Sequence, residues 1–426
     1  MSAESNHYVE EPAALLVDTG LPFVVGFFFS FRLFIMLLAV RVLGTDPQVG
    51  TAISFALNYL LLIVVAFQSV GAADRTFGSM LKLPSIQWVV LFLAFSCCSL
   101  FWSSTISLSA AVAYWCAMAA DAAVVVLLCR LEPMRDFMHS LMKGYVWGAC
   151  AVAIIAWLLP GQSDLRLGDD ELLGANQIGY LCGFAFFFAQ YLMQQKVARF
   201  WILALLLGVT LLRSLSKTTI IGFLLAEAFF LLREKSMSRK TKLLIISIVI
   251  LVAIAFSSLL FSYFSIYLDA GNSPETLTGR LTIWAVVLDQ AIKQPWAGYG
   301  FYSIWKVIPS FGEFEARSAH NELLQQFYSY GVVGVCMMVG LYGSFYLQIR
   351  RFVTGSLRTF YLTLLLFVLI RGIADTEVCD FSLPLWAIIM FSLLLERGHT
   401  MDGHPVTTLS YRAAEICQGI TSSSAL

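Results

Sequence analysis

Charge is what this 426-residue chain has least of. Charged residues make up 13% of it, hydrophobic residues 59%, and the formal net charge is zero. A soluble domain carries about 25% charged residues, so a soluble globular fold is excluded and a polytopic membrane protein is expected. Zero net charge leaves no electrostatic footprint for nucleic acid, and no such partner is expected. The nine cysteines show no metal or disulfide spacing. Cys97, Cys98, Cys116, Cys129, Cys150, Cys182 and Cys336 all fall in apolar runs, where cysteine behaves as a small hydrophobe. There is no Asp-x-Asp pair for a divalent cation and no carboxylate cluster of the glycoside-hydrolase kind, so neither metal nor cofactor is expected. No internal repeat is visible, which weighs against transporters built from two related halves. The N-terminus, MSAESNHYVEEPAALLVDTG, lacks a basic start and a cleavage site; no signal peptide is expected to be removed, and the first span does the targeting.

What the chain has is hydrophobic runs. Runs near the roughly 20 residues that cross about 30 Å of hydrocarbon lie at 21–43, 49–71, 85–102, 107–129, 142–160, 175–194, 198–213, 217–232, 243–266, 320–347, 357–373 and 382–396. They are too long for β-barrel strands. The expected fold is all-α, a polytopic helical membrane protein with about 10–12 transmembrane helices. Its parts are a tail at 1–20, a transmembrane bundle at 21–266, a large loop at 267–319, a second set of spans at 320–396 and a tail at 397–426. The strongest basic stretch holds Arg233, Lys235, Arg239, Lys240 and Lys242 and is expected in the cytoplasm. By parity both termini join it, and the large loop faces outward. So does the turn holding Arg213, Ser214, Ser216 and Lys217.

Between Leu277 and Gly334 the sequence turns polar and aromatic: TLTGRLTIW, then QPWAGYGFYSIW, then RSAHNELLQQFYSYGVVG. Upstream, Arg213 and Lys217 of LLRSLSKTT are four apart and share a face if the segment is helical. With Ser214, Ser216 and Thr218 they form either an anion cradle or a pair of snorkelling anchors. Thr278 is a candidate N-cap for a helix with an apolar stripe of Leu281, Trp284, Val287 and Leu288. Arg280 then sits in its first turn, where a cation opposes the helix dipole; it is either an ordinary exposed arginine or one aimed at an anion. Pro295, Gly298 and Gly300 stop the helix and reverse the chain. Trp296, Tyr299, Phe301, Tyr302 and Trp305 are either an interfacial belt or surfaces for stacking on sugars. His320, followed by Asn321 and Glu322, can accept a proton from a hydroxyl; Glu322 would orient the ring or cap the next span. Arg317 lies just ahead of it. Arg371 falls on the same outer side with Asp375 one turn on as its partner, while Arg32 and Glu227 are left as structural partners.

The order of these pieces resembles the O-antigen ligase and polysaccharide polymerase superfamily. TLTGRLTIW and GYGFYSIW look closest to bacterial exopolysaccharide repeat-unit polymerases, and LFWSSTISLS (Leu100–Ser109) is similar to a turn that the family carries between early spans. The resemblance covers roughly Leu100 to Val335. It implies an inner-membrane, GT-C-like glycosyltransferase whose donor is an oligosaccharide on undecaprenyl diphosphate, presented to a glycan acceptor at the periplasmic face. Arg213 and Arg280 match the family's arginines and His320 its histidine, which makes these three the expected catalytic residues. Lys217, Arg317, Trp284, Tyr299, Asn321 and Arg371 are expected to bind substrate. Ligases often carry a second histidine shortly before the His-Asn pair, where this chain has Ser318 and Ala319, and an arginine after the serine where it has Ser216-Lys217-Thr218. Both departures favour a polymerase over a ligase. The lipid bilayer is an implied partner, and chain-length regulator or export proteins are further candidates. The rival outside enzymes is a twelve-span transporter or flippase, suggested by GAADRTFG (Gly71–Gly78); a carrier would gather its polar residues near the midplane, not at one face.

Overall fold

The computed structural model describes residues 20–70, 80–131, 134–159, 165–169, 172–197, 200–235, 237–255, 257–258, 261–262, 277–307, 318–376 and 383–403. Among these residues the fold is helical, with a single isolated β-bridge between Asp169 and Leu173. In chain order the helices are α1 (Leu21–Leu37, ending in a π-turn Leu38–Val42), α2 (Pro47–Ser69), α3 (Pro84–Ser99), α4 (Leu108–Leu131), α5 (Met134–Leu158), α6 (Ala175–Gln194), α7 (Trp201–Arg213), α8 (Lys217–Arg233), α9 (Arg239–Ala255), α10 (Leu277–Ala291), α11 (Glu322–Phe352), α12 (Gly355–Gly372) and α13 (Leu383–Gly403). Pro22, Pro47 and Pro84 open α1, α2 and α3 in the first turn, where the missing N–H would have had no helical acceptor anyway. The GAADRTFG stretch lies outside the described residues.

Each of the twelve expected spans coincides with a helix, and α10 is the amphipathic addition between α9 and α11. Six of the described helices are long and apolar enough to cross a membrane, and three shorter apolar ones accompany them. The protein is thus an all-α, multi-pass membrane protein. Two of the expected spans are short: α3 and α7 have 16 and 13 residues among the described residues, roughly 24 and 20 Å at 1.5 Å per residue, less than the hydrocarbon thickness.

Inside the bundle α1 lies against α5 through glycines. A Cβ on Gly144 would stand 2.0 Å from the Phe23 carbonyl oxygen, one on Gly26 2.0 Å from that of Leu141, and one on Gly148 2.2 Å from Ser30 Oγ. Gly144 and Gly148 are four apart, so they line one face and let two backbones touch, the small-residue contact that apolar solvents favour. Arg32 on α1 finds Asp121 on α4, Nη1 to Oδ2 at 2.6 Å. Glu227 accepts from Gln190 Nε2 at 3.4 Å. Arg32 and Glu227 are therefore not each other's partners; a charge facing the bundle interior pairs with whatever polar group the packing brings, however distant in sequence.

Hydrogen bonds sort the inter-helix segments into two ends. Arg41 meets Asp169, Ser104 N donates to Tyr299 O, Arg213 donates to Leu165 O and Asn321 donates to Ile373 O. These tie together the segments after α1, α3, α5, α7, α10 and α12. At the other end Ser356 donates to Glu234 at 2.6 Å and Lys242 Nζ to the Glu234 carbonyl at 2.6 Å. The basic stretch and the polar, aromatic stretch thus occupy opposite ends of the bundle.

Gly144→Leu should separate α1 from α5. The variant is expected to lose its melting transition or aggregate in detergent, whereas Gly343→Ala, where a Cβ meets nothing within 4 Å, should melt at or above the parent temperature.

Candidate functional site

Three backbone features set the site. The first is the turn between α7 and α8. α7 stops at Arg213, Leu215 takes φ 57°, and α8 starts at Lys217. Arg213 and Lys217 therefore do not share a face of one helix; the left-handed residue between them reverses the chain. Leu215 is buried at 3% exposure, which holds a conformation costing about 1–3 kcal/mol in place. Ser216 Oγ lies 2.8 Å from Asn176 Oδ1 and 2.9 Å from Thr219 Oγ1, which fixes the start of α8.

The second is a splice of the Pro295–Gly300 turn into α11. α11 is broken at Gly331, φ 63° and ψ −156°. A continuous helix would send Val332 N–H to the Tyr328 carbonyl and Val333 N–H to that of Ser329. Instead Tyr328 O and Ser329 O accept from Tyr299 N (3.0 Å) and Gly300 N (2.8 Å), and Val332 N donates to Pro295 O at 2.7 Å. The turn thus satisfies groups that the break leaves open, which is why both sides need glycine. A Cβ on Gly298 would meet Tyr328 O at 2.5 Å, and one on Gly331 Trp296 O at 2.4 Å. On its far side the turn takes the Ser99–Ser104 stretch: Phe301 N donates to Ser99 Oγ (2.9 Å) and Ser103 Oγ to Phe301 O (2.6 Å).

The third is the corner before α11. His320 sits at φ 48°. Trp284 Nε1 on α10 donates to Ala319 O at 2.9 Å, and Ala319 N donates to Gln325 Oε1 at 2.9 Å. Asn321, rather than Glu322, caps α11, its Oδ1 accepting from Leu324 N at 2.9 Å while Nδ2 donates to Ile373 O at 2.9 Å. Glu322 accepts from Gln326 at 2.8 Å. α10 begins at Leu277, so Thr278 lies within the helix and not at its cap.

These features bring side chains from α8, α10, α11 and α12 together. Arg371 Nη2 lies 2.8 Å from Asp375 Oδ2, its Nε donates to Thr219 Oγ1 at 3.3 Å, and its guanidinium covers the Tyr180 ring at 3.7 Å. Asp375 Oδ1 is 3.5 Å from His320 Nδ1, longer than a well-formed hydrogen bond. Arg280 Nη1 donates to Thr218 Oγ1 at 3.1 Å and to the Ala374 carbonyl. Burial alone would raise the Asp375 carboxyl; the charge of Arg371, helped by His320 and Arg280, more than offsets it and holds Asp375 well below the usual carboxylate range.

Of the expected site residues, Arg280, His320, Asn321 and Arg371 meet in this cluster, and Lys217 directly precedes Thr218. Arg213 is engaged at the end of α7, on Leu165 O and over the Trp157 ring at 6.0 Å. Trp284 reaches the corner through its indole N–H. Tyr299 stacks on Tyr328 at 4.8 Å and donates its hydroxyl to Gln290 O. Arg317 lies outside the described residues. Thr219 and the Ile373 and Ala374 carbonyls escaped the sequence; Thr219 adjoins Thr218 with nothing to single it out, and a backbone group carries no signal there. Among the described residues no group of three or more His, Cys, Asp or Glu side chains is placed to hold a metal ion.

Comparison with known proteins agrees with the resemblance. Residues 202–339 match the family described as O-antigen ligase. Over 305 residues the chain is 26% identical to the exopolysaccharide production protein ExoQ of Rhizobium meliloti (strain 1021). That match takes in 63% of this chain and 66% of the relative, so the chain spans just under two thirds of the relative's length. The similarity to the O-antigen ligase and polymerase superfamily therefore holds. The matched segment contains Arg213, Lys217, Arg280, Trp284, Tyr299, His320 and Asn321 and stops short of Arg371 and Asp375.

Because the folded Asp375 carboxyl is depressed, its contribution to stability is present above about pH 4, the unfolded value, and is lost as pH falls below that. Asp375→Asn should cost about 3 kcal/mol by leaving the buried Arg371 charge without its carboxylate. Melting of both proteins should show a constant gap from pH 5 to 8 that narrows towards pH 3; a gap unchanged at pH 3 would contradict the ion pair.

Proposed function

We propose that this protein is a lipid-linked-donor glycosyltransferase, specifically an exopolysaccharide polymerase. It transfers oligosaccharide repeat units from undecaprenyl diphosphate onto a growing glycan at the periplasmic face of the inner membrane, with both termini in the cytoplasm. The observation that carries this reading is the chain of contacts from Arg371 through Asp375 to His320, with Arg280 held beside it, at the bundle end opposite the basic stretch.

The reaction needs positive charge where a diphosphate departs and a base where a hydroxyl attacks. The acceptor hydroxyl oxygen attacks the anomeric carbon, and the bond from that carbon to the diphosphate oxygen breaks. The electron pair leaves with the diphosphate, and the hydroxyl proton goes to His320. Asp375 faces Nδ1 of His320 and so leaves Nε2 for that proton. Arg280 and Lys217 take the diphosphate. Arg280 Nε is buried without a hydrogen-bond partner among the described residues and so has a donor to give. Arg213 extends the positive surface along the turn, and Asn321, with Arg371 behind Asp375, holds the corner. Trp284 and Tyr299, both half-buried, flank the sugar. Displacement without metal in a single step inverts the anomeric carbon. A second reading, O-antigen ligase, is favoured by the family match itself; the name of the relative and the Ser318-Ala319 departure favour the polymerase.

His320→Ala and Arg280→Ala should each reach the membrane and lower chain extension about 10²–10⁴-fold, with lipid-linked single repeats accumulating. Accumulation of finished polymer on the carrier lipid instead would make it a ligase. Full-length polymer from both variants would remove their assigned roles.

A further inference from the structure

At the bundle end opposite the site, a groove of about 450 Å³ opens between α8, α11 and α12. Each helix contributes an arginine to it: Arg233, Arg350 and Arg358. Arg233 and Arg350 are exposed and rest on aromatic rings, the Arg233 guanidinium 5.5 Å from Phe229 and that of Arg350 5.9 Å from Tyr346. Arg350 also donates to the Tyr346 hydroxyl at 3.1 Å. Arg358 is different. Its Nε is buried and has no hydrogen-bond partner among the described residues, a cost that a chain seldom bears without a ligand to relieve it. Among the described residues that line the groove there is no carboxylate. Glu234, the residue after α8, accepts from Ser356.

Below the arginines the wall changes character. Leu362, Leu366 and Leu369 follow Arg358 along one face of α12, spaced so that they stack beneath it over roughly 16 Å. Three cations at a helix-bundle end, with an apolar furrow running from them along the helices, match an anionic headgroup with its acyl chain. The furrow excludes a purely polar anion as the natural occupant, because water would have to stay against the leucines.

We propose that this groove is a binding site for an anionic phospholipid. The phosphate sits among Arg233, Arg350 and Arg358, and one acyl chain lies along Leu362, Leu366 and Leu369. The lipid supplies the acceptor that Arg358 Nε lacks and joins α8 to α12, the two helices whose other ends carry Lys217 and Arg371. The site is independent of the transfer reaction, so either assignment can fail alone.

The test is lipid retention by the purified full chain, measured by native mass spectrometry after exchange into mixed micelles holding equal phosphatidylglycerol and phosphatidylcholine. The parent protein should retain phosphatidylglycerol selectively, and excess inorganic phosphate should not displace it. Arg350→Gln with Arg358→Gln should weaken retention about 30-fold, the usual worth of two basic residues near an anionic surface. Arg239→Gln, an exposed cation at the same end but outside the groove, should leave it unchanged. Equal retention of the two lipids, displacement by phosphate, or the same loss from Arg239→Gln would overturn the proposal. Melting curves of each variant separate lost binding from lost fold.

Discussion

Two charges that could not stay in an apolar bundle alone, Arg371 and Asp375, hold this end of the protein together. A single buried ion costs several kcal/mol after relaxation, and removing its partner exposes that cost in full. Their spacing of four along the chain brings them to 2.8 Å just where α12 gives out. The segment that follows is then fixed enough for others to use. Arg280 from α10 grips the Ala374 carbonyl, Asn321 ahead of α11 grips that of Ile373, and His320 faces the second carboxylate oxygen of Asp375. Thr219 and the Tyr180 ring hold Arg371 from α8 and α6. α10 and the corner ahead of α11 meet on the three consecutive residues Ile373 to Asp375, and α6 and α8 meet on Arg371, each because a charge or a carbonyl there needs a partner.

That meeting would fail if α10 could move relative to α11. The Pro295–Gly300 turn prevents it by completing the broken hydrogen-bond ladder of α11 at Tyr328, Ser329 and Val332. Helix breaks have identifiable causes, and this one is the entry of a second backbone at Gly331. The same turn carries the Ser99–Ser104 stretch on its other side. Early and late parts of the chain are therefore joined by one main-chain bond, Ser104 N to Tyr299 O, and by the Ser99 and Ser103 hydroxyls on the Phe301 backbone. The consequence for function is positional: Arg280 and His320 lie 40 residues apart in sequence, and the splice sets the distance between them.

The helices were legible because long apolar runs have few other solutions in a membrane, and each expected run became one. Arg371 with Asp375 was legible from spacing and type. The helix-breaking glycines at Gly298 and Gly300 were legible as a turn, but their insertion into another helix was not, since nothing local marks Gly331 as its receiver. Leu215 misled because a leucine gives no warning of positive φ, so Arg213 and Lys217 read as one helical face. Asp121 could not be named for Arg32, being 89 residues away with no pattern linking them. Trp284 read as part of an apolar stripe and Tyr299 as a belt aromatic or sugar surface; their N–H and O–H groups turn out to hold the neighbouring backbone as well.

The central claim is that Asp375 acts through His320 in the same step. It is tested most directly by a double-mutant cycle on the initial rate of glycan transfer from purified lipid-linked repeat units, using His320→Ala, Asp375→Asn and the pair. Groups that work as one unit lose their effect together. The account predicts that the pair is no slower than His320→Ala alone. Losses that multiply would show two independent contributions and contradict it.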